Sequence, residues 1–202
     1  LIQGTIFSSF TQRDGNPIYS SDTDAFIEEL KELHNRHVVN KNDNQLISPA
    51  LFDPNLSSKT DRGLENIVQV NGIWLDNDGG DLSPEEFHKF FPDIRMVCFN
   101  TYSGNGRYRV YIPTSRSMTP EEYEGVIHFM LLQLNKAGFY DENTALNQEY
   151  NGKETLRHGF DMSKISACSL FYLPCRAKSP EYSVCTEFFG TLFSPDEWLP
   201  EF

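Results

Sequence analysis

The sequence predicts an α+β fold: a ferredoxin-like, RRM-like βαββαβ core with an N-terminal α/β extension. Three observations predict it. Between residues 67 and 176, β-rich runs and proline-opened helices follow in the order strand, helix, strand, strand, helix, strand. That is the order of a four-stranded antiparallel sheet with both helices on one face. A glycine-rich turn, Ser103-Gly104-Asn105-Gly106, separates the two middle strands as a hairpin requires. Ahead of residue 67 stand one helical segment and a long polar stretch, without that alternation.

Asp24 to His34 (DAFIEELKELH) has apolar residues at helical spacing, and the stretch from Val38 to Gly63, rich in Asn, Asp, Ser and Pro, reads as a surface connection. Residues 1–66 are therefore expected as a helical and loop extension packed on a core formed by residues 67–202. Val68 to Asp76 (VQVNGIWLD) reads as the first strand. Ser83-Pro84-Glu85-Glu86 opens a helix with a capping box and a proline at its first position, and the helix stops near Phe91-Pro92. Arg95 to Tyr102 and Arg107 to Ile112 are the hairpin strands. Thr119-Pro120-Glu121-Glu122 repeats the capping device, and Val126, Ile127, Met130, Leu131 and Leu134 carry a helix to Gly138. Cys168 to Leu173 (CSLFYL) is the expected last strand, beside the first. In that arrangement the face away from the helices is open, and Asp161 approaches the end of the first strand.

At 202 residues the chain can bury one substantial core. It begins at Leu1 without a charged-then-apolar leader, so a piece of a longer protein is expected, and no apolar run is long enough to cross a bilayer. The four cysteines, Cys98, Cys168, Cys175 and Cys185, lack close paired spacing. Reduced thiols in a cytoplasm are expected, and zinc held by His158 with Cys168, Cys175 and Cys185 is disfavoured. A net charge of −12 opposes generic nucleic-acid binding, which draws on Lys and Arg. It leaves room for a site where metal ions and a local group of cations meet the phosphates.

Asp76 and Asp78 supply that site. Side chains alternate along a strand, so the two project to one side with Cα atoms about 6.6 Å apart, while Ile73 and Leu75 face the helices. Carboxylates so spaced hold hard divalent cations, and a metal pair about 3.5–4 Å apart stabilises the attacking and leaving oxygens of a phosphoryl displacement. Asp161 is the candidate third acid. Read structurally, Asp-Asn-Asp-Gly-Gly is a tight turn leaving a strand, and Asp161 a helix cap. Arg107 and Arg109 alternate with Tyr108 and Val110, which aims the guanidiniums at the open face, where they can fork onto a triphosphate.

These residues resemble the archaeo-eukaryotic primase-polymerase family, as found in replication proteins of plasmids, phages and integrated mobile elements. Trp74-Leu75-Asp76-Asn77-Asp78 is similar to its first, metal-binding motif, Ser103-Gly104-Asn105-Gly106-Arg107-Tyr108-Arg109 to its second, and Gly159-Phe160-Asp161 to its third. The resemblance implies a DNA primase or polymerase that joins nucleoside triphosphates on a DNA template and primer, with Asp76, Asp78 and Asp161 holding two Mg²⁺ or Mn²⁺ ions. It also implies a helicase domain in the same full-length protein. The second motif lacks the histidine common in the family, so the resemblance passes its phosphate contact to Asn105, Tyr108 or Arg109, with Ser103, Arg107, Lys164 and Arg176 as further nucleotide-binding candidates.

Two rivals come from other classes. A haloacid-dehalogenase-like phosphatase would use Asp76 as nucleophile and Asp78 as acid, on a parallel sheet. A non-catalytic DNA-binding replication module would use the open sheet without turnover. A metal-dependent glycosyltransferase using Asp-x-Asp is disfavoured, since no nucleotide-binding α/β half precedes the motif in this sequence.

Overall fold

Helices begin where the sequence supplies a cap and a proline. In the computed structural model, which describes residues 1–199, Ser83 Oγ accepts from the Glu86 amide at 3.1 Å and Thr119 Oγ1 from the Glu122 amide at 3.1 Å. Of the two, only Thr119 has the full reciprocal box, because the Glu122 carboxylate accepts from the Thr119 amide at 2.9 Å.

The elements run β1 (Ile2–Phe7), β2 (Asn16–Tyr19), α1 (Thr23–His34), β3 (Leu46–Ser48), β4 (Ala50–Phe52), β5 (Ile67–Val70) and β6 (Ile73–Asn77). They continue with α2 (Pro84–Lys89), β7 (Met96–Asn100), β8 (Tyr108–Ile112), α3 (Pro120–Lys136), β9 (Phe139–Tyr140), α4 (Glu142–Tyr150), β10 (Leu156–Arg157), β11 (Phe171–Tyr172), β12 (Cys185–Phe188) and α5 (Pro195–Trp198). The result is a mixed α/β architecture with antiparallel principal sheets. One four-stranded sheet has the order β12-β7-β8-β6 and another the order β11-β3-β1-β2. The β7–β8 hairpin forms where expected, its turn held by positive φ at Gly104, Asn105 and Gly106.

Three expectations about the strands need correction. The run Val68 to Asp76 is not one strand: Gly72, at φ +73°, breaks it, so that β5 pairs with β4 while β6 pairs with β8. The polar stretch 38–63 contains β3 and β4, and β3 is wholly buried at the centre of its sheet. The segment expected as the last strand of the core instead supplies β11, which pairs with β3. Beside β6 its place is taken by an antiparallel bridge between Asn77 and Phe160. Two backbone bonds extend the bridge, Asp78 N to Gly159 O at 2.9 Å and Asp161 N to Asp76 O at 2.8 Å. The approach needs Gly159, at φ +83°, because a Cβ there would stand 2.6 Å from Asn77 Oδ1.

Both faces of the β6-containing sheet are covered. Ile73, Leu75, Met96, Cys98, Val110 and Ile112 meet α3 and Phe87 of α2 in the larger core. On the other face, Trp74, Val97, Phe99 and Tyr111 meet Phe26, Ile27 and Leu30 of α1 together with Ile47, Phe171 and Leu173. The open face is thus absent, for a reason in the residues themselves: it is aromatic and apolar, and α1 with the second sheet removes it from water. No helix among the described residues is long and apolar enough to cross a membrane.

Candidate active site

The apolar part of β6 is sealed between these layers, and its last residues emerge at one end. Register sets Asp76 opposite Arg109 of β8. The two form an ion pair, Nε to Oδ1 at 2.9 Å, with side chains only 6% and 12% exposed for Arg109 and Asp76. Arg109 Nη1 also donates to Tyr172 O at 2.6 Å. Removing one partner from so buried a pair costs about 3–5 kcal/mol, because the other charge stays desolvated.

Asp78 lies one residue beyond the strand, where Asn77 builds the turn: its Oδ1 accepts from Gly79 N at 3.0 Å and its Nδ2 donates to His158 O at 2.8 Å. Burial lifts the Asp78 carboxyl above the ordinary range, and the charges of Asp76 and Asp161 push it further up. Asp161 caps a short 3₁₀ turn, with Oδ1 accepting from Ser163 N at 2.9 Å and Ser163 Oγ at 2.6 Å. Both bonds to Asp161, and the bond to Asp76, use Oδ1. The acceptor capacity left on the two residues is their Oδ2 atoms.

The three aspartates share the lining of a cleft of about 340 Å³ with Lys41, Arg109 and Lys164. Phe10, Asn42, Leu170 and Tyr172 complete it. Lys164 Nζ donates to Leu170 O at 2.9 Å and lies over the Phe10 ring, and burial pushes its ammonium below the ordinary lysine range. On the far side of Asp78 and Asp161 a second cleft, about 310 Å³, adds Asp141, Glu142 and Arg157 to the same two acids.

The other sequence-derived candidates fall elsewhere. The Tyr108 ring is in the helix-side core, its hydroxyl donating to Leu82 O at 3.0 Å, and burial pushes its ionisation up. Ser103 and Asn105 form the hairpin turn, outside the cleft lining. Arg107 lines a separate 260 Å³ pocket with Glu85 and Tyr182, although its charge is felt at Asp78. Arg176 sits by His34 and Cys185, its amide donating to Arg36 O at 2.9 Å. His158 is buried, and its Nδ1 accepts from the Phe160 amide at 2.9 Å. Cys98 and Cys175 are buried thiols, Cys168 and Cys185 half-buried ones. Phe10, Lys41, Asn42, Leu170 and Tyr172 are the lining residues that sequence reasoning did not assign to the site.

No protein-family model and no curated protein matches the sequence. A solved structure does match in three dimensions: the AEP domain (PP-N190) of the primase-polymerase (PrimPol) of cyanophage S-2L. The TM-score is 0.50 at 12% identity, over 98% of this chain and 88% of that one. The fold is similar to a phage primase-polymerase domain. In this fold the acids stand where β6 leaves the sheet. All three donors are hard carboxylate oxygens, the type that suits Mg²⁺ or Mn²⁺. Among the described residues, no three Asp, Glu, His or Cys side chains are drawn together closely enough to enclose an ion.

Proposed function

We propose that the chain is a template-dependent nucleotidyltransferase, a DNA primase or DNA polymerase, acting in the replication of a plasmid, phage or integrated element. The observation that carries the reading is the meeting of Asp76, Asp78 and Asp161 with Lys41, Arg109 and Lys164 in one cleft, in a chain of net charge −12. On this reading residues 73–136 with the bridge at Phe160 are a ferredoxin-like unit whose fourth strand has shrunk, and residues 1–66, whose sheet takes in β11, pack on it as an extension.

Asp76, Asp78 and Asp161 would hold two Mg²⁺ or Mn²⁺ ions. Bound there, such ions supply charge neutralisation at the phosphate undergoing displacement. The protein's own contributions are positional. Arg109 fixes the Asp76 carboxylate by its Oδ1 and leaves Oδ2 directed elsewhere. The Asn77 side chain holds the turn that carries Asp78. The backbone bond from Asp161 N to Asp76 O holds the third acid beside the first although 85 positions of chain separate them.

The test is primer extension with a primed DNA template, deoxynucleoside triphosphates and Mn²⁺. Incorporation by the wild type that disappears in Asp78→Asn, with the melting temperature retained, supports the reading. Phosphatase turnover without extension sinks it. The antiparallel pairing of β6 with β8 already argues against the phosphatase, whose sheet is parallel. The non-catalytic DNA-binding module draws support from the Asp76–Arg109 pair, which neutralises one acid without metal. A Mn²⁺ titration distinguishes it, since that module needs no ion bound through Asp78. A helicase domain in the same full-length protein and a DNA template gripped outside this chain complete the proposal.

A further inference from the structure

The chain contains three Asn-Gly pairs, Asn71-Gly72, Asn105-Gly106 and Asn151-Gly152. Asparagine before glycine carries a latent reaction, in which the glycine amide nitrogen gives up its proton and attacks the asparagine Cγ. Glycine favours the attack because it has no Cβ to crowd the approach. A hydrogen bond on either reacting group opposes it, since the bond must break before the two can meet.

The three pairs differ in those bonds. Asn71 is half-buried and held at both ends: its Oδ1 accepts from Gln69 Nε2 at 2.9 Å and its Nδ2 donates to Pro49 O at 3.3 Å. Gly72 N donates to Thr114 Oγ1 at 3.2 Å. Asn151 is exposed, but its Nδ2 donates to Asn147 O at 3.0 Å, and Gly152 N donates to Glu149 O at 2.9 Å. Asn105 and Gly106 are both exposed, at the tip of the β7–β8 hairpin. Among the described residues, neither the Asn105 side chain nor the Gly106 amide has a hydrogen-bond partner. Their neighbours close the turn instead, Gly104 N donating to Thr101 O at 3.0 Å and Arg107 N to Gly104 O at 3.2 Å. A Cβ at Gly106 would meet nothing within 4 Å, so the space around the attacking nitrogen is open.

We propose that Asn105 is a site of spontaneous deamidation, a covalent modification that the fold confines to one of three Asn-Gly pairs. Gly106 N, deprotonated by water or hydroxide, forms a bond to Asn105 Cγ, and the bond from Cγ to the side-chain nitrogen breaks with release of ammonia. Water then opens the five-membered succinimide at one of its two carbonyls, giving aspartate or isoaspartate. Water is the only co-reactant. The product adds one negative charge to a chain of net charge −12, and the isoaspartate form also lengthens the main chain of the turn by a methylene. The new carboxylate stands two positions ahead of Arg107, which lines the 260 Å³ pocket with Glu85 and Glu181, and it offsets that guanidinium's charge. The inference stands apart from the nucleotidyltransferase reading and survives its failure.

The test is incubation of the whole chain at mildly alkaline pH, with digestion and mass spectrometry of the three Asn-Gly peptides at intervals. Asn105 should convert at least about tenfold faster than Asn71 or Asn151, whose reaction waits for local opening. In urea the three rates should converge, because the difference belongs to the fold. Conversion of Asn71 or Asn151 as fast as Asn105 in the folded chain overturns the proposal. So does an Asn105 that stays intact over the time in which the unfolded chain converts it. Asn105→Gly, a residue at ease at the φ of +55° found there, should abolish the acidic species that wild type accumulates on ion exchange. Acidic species accumulating in that variant at the wild-type rate overturn the assignment to Asn105.

Discussion

Asp78 and Asp161 divide two clefts of similar size and opposite character. One contains Lys41, Arg109 and Lys164 with an aromatic wall. The other contains Asp141, Glu142 and Arg157, and its guanidinium is already committed to Glu142 and Glu149 at 2.7 Å each. The same two carboxylates thus face spare positive charge on one side and mostly negative charge on the other. Local arrangement, and not the net charge of the chain, decides where a phosphate can enter.

The largest effect expected is on turnover. Asp78→Asn should reduce primer extension by about a hundredfold or more, above the 10–100-fold typical of residues that only orient a metal ligand. Retained activity would dissolve the ridge on which the contrast between the clefts depends. Next is stability: Arg109→Leu should lower the unfolding free energy by about 3–5 kcal/mol, measured by urea titration, since it leaves Asp76 buried and unpaired. A loss below about 1 kcal/mol would mean that water reaches the pair.

A smaller effect separates the clefts directly. Lys41→Gln should raise the nucleotide KM about tenfold with kcat little changed, whereas Glu142→Gln in the acidic cleft should leave both within about twofold. Equal effects would erase the distinction. The smallest concerns Asp78 in metal-free buffer. Its carboxyl is raised in the folded protein, so its contribution favours folding at acid pH and is lost as pH rises through the raised value. Asp78→Asn should therefore melt slightly above wild type at neutral pH, with the difference vanishing toward acid. Mn²⁺ should raise the wild-type melting temperature and not that of the variant. A variant that melts lower at every pH would show Asp78 to be structural.

Much of this was legible locally. Ser83 and Thr119 announce their helices, the hairpin turn reads from its glycines, and Asp76 and Asp78 stand out at the end of an apolar run. Asp161 was placed beside them by topology, although the bridge at Phe160 and not a full strand brings it there. What escaped was long-range. Trp74, Phe99 and Tyr111 on the supposed open face are a warning that it is covered, but nothing local says by what. Lys41 sits in an Asn- and Asp-rich stretch that looks like solvent-facing connection, and only the pairing of β3 with β11 carries it to Tyr172. Arg109 was legible as a cation at the right height, yet its partner follows from register, which sequence leaves open.

The two-residue strand β11 also sets a timetable for synthesis. Asn44, next to β3, gives its side-chain amide to Leu173 O across 129 positions of chain, and Arg36 reaches Pro174 O across 138. A ribosome adding about 5–20 residues per second needs on the order of ten seconds to cover that distance. Until then the aromatic surface of Trp74, Phe99 and Tyr111 lacks Phe171 and Leu173 as cover. A nascent chain paused before β11 leaves that surface with less apolar cover than the complete chain has.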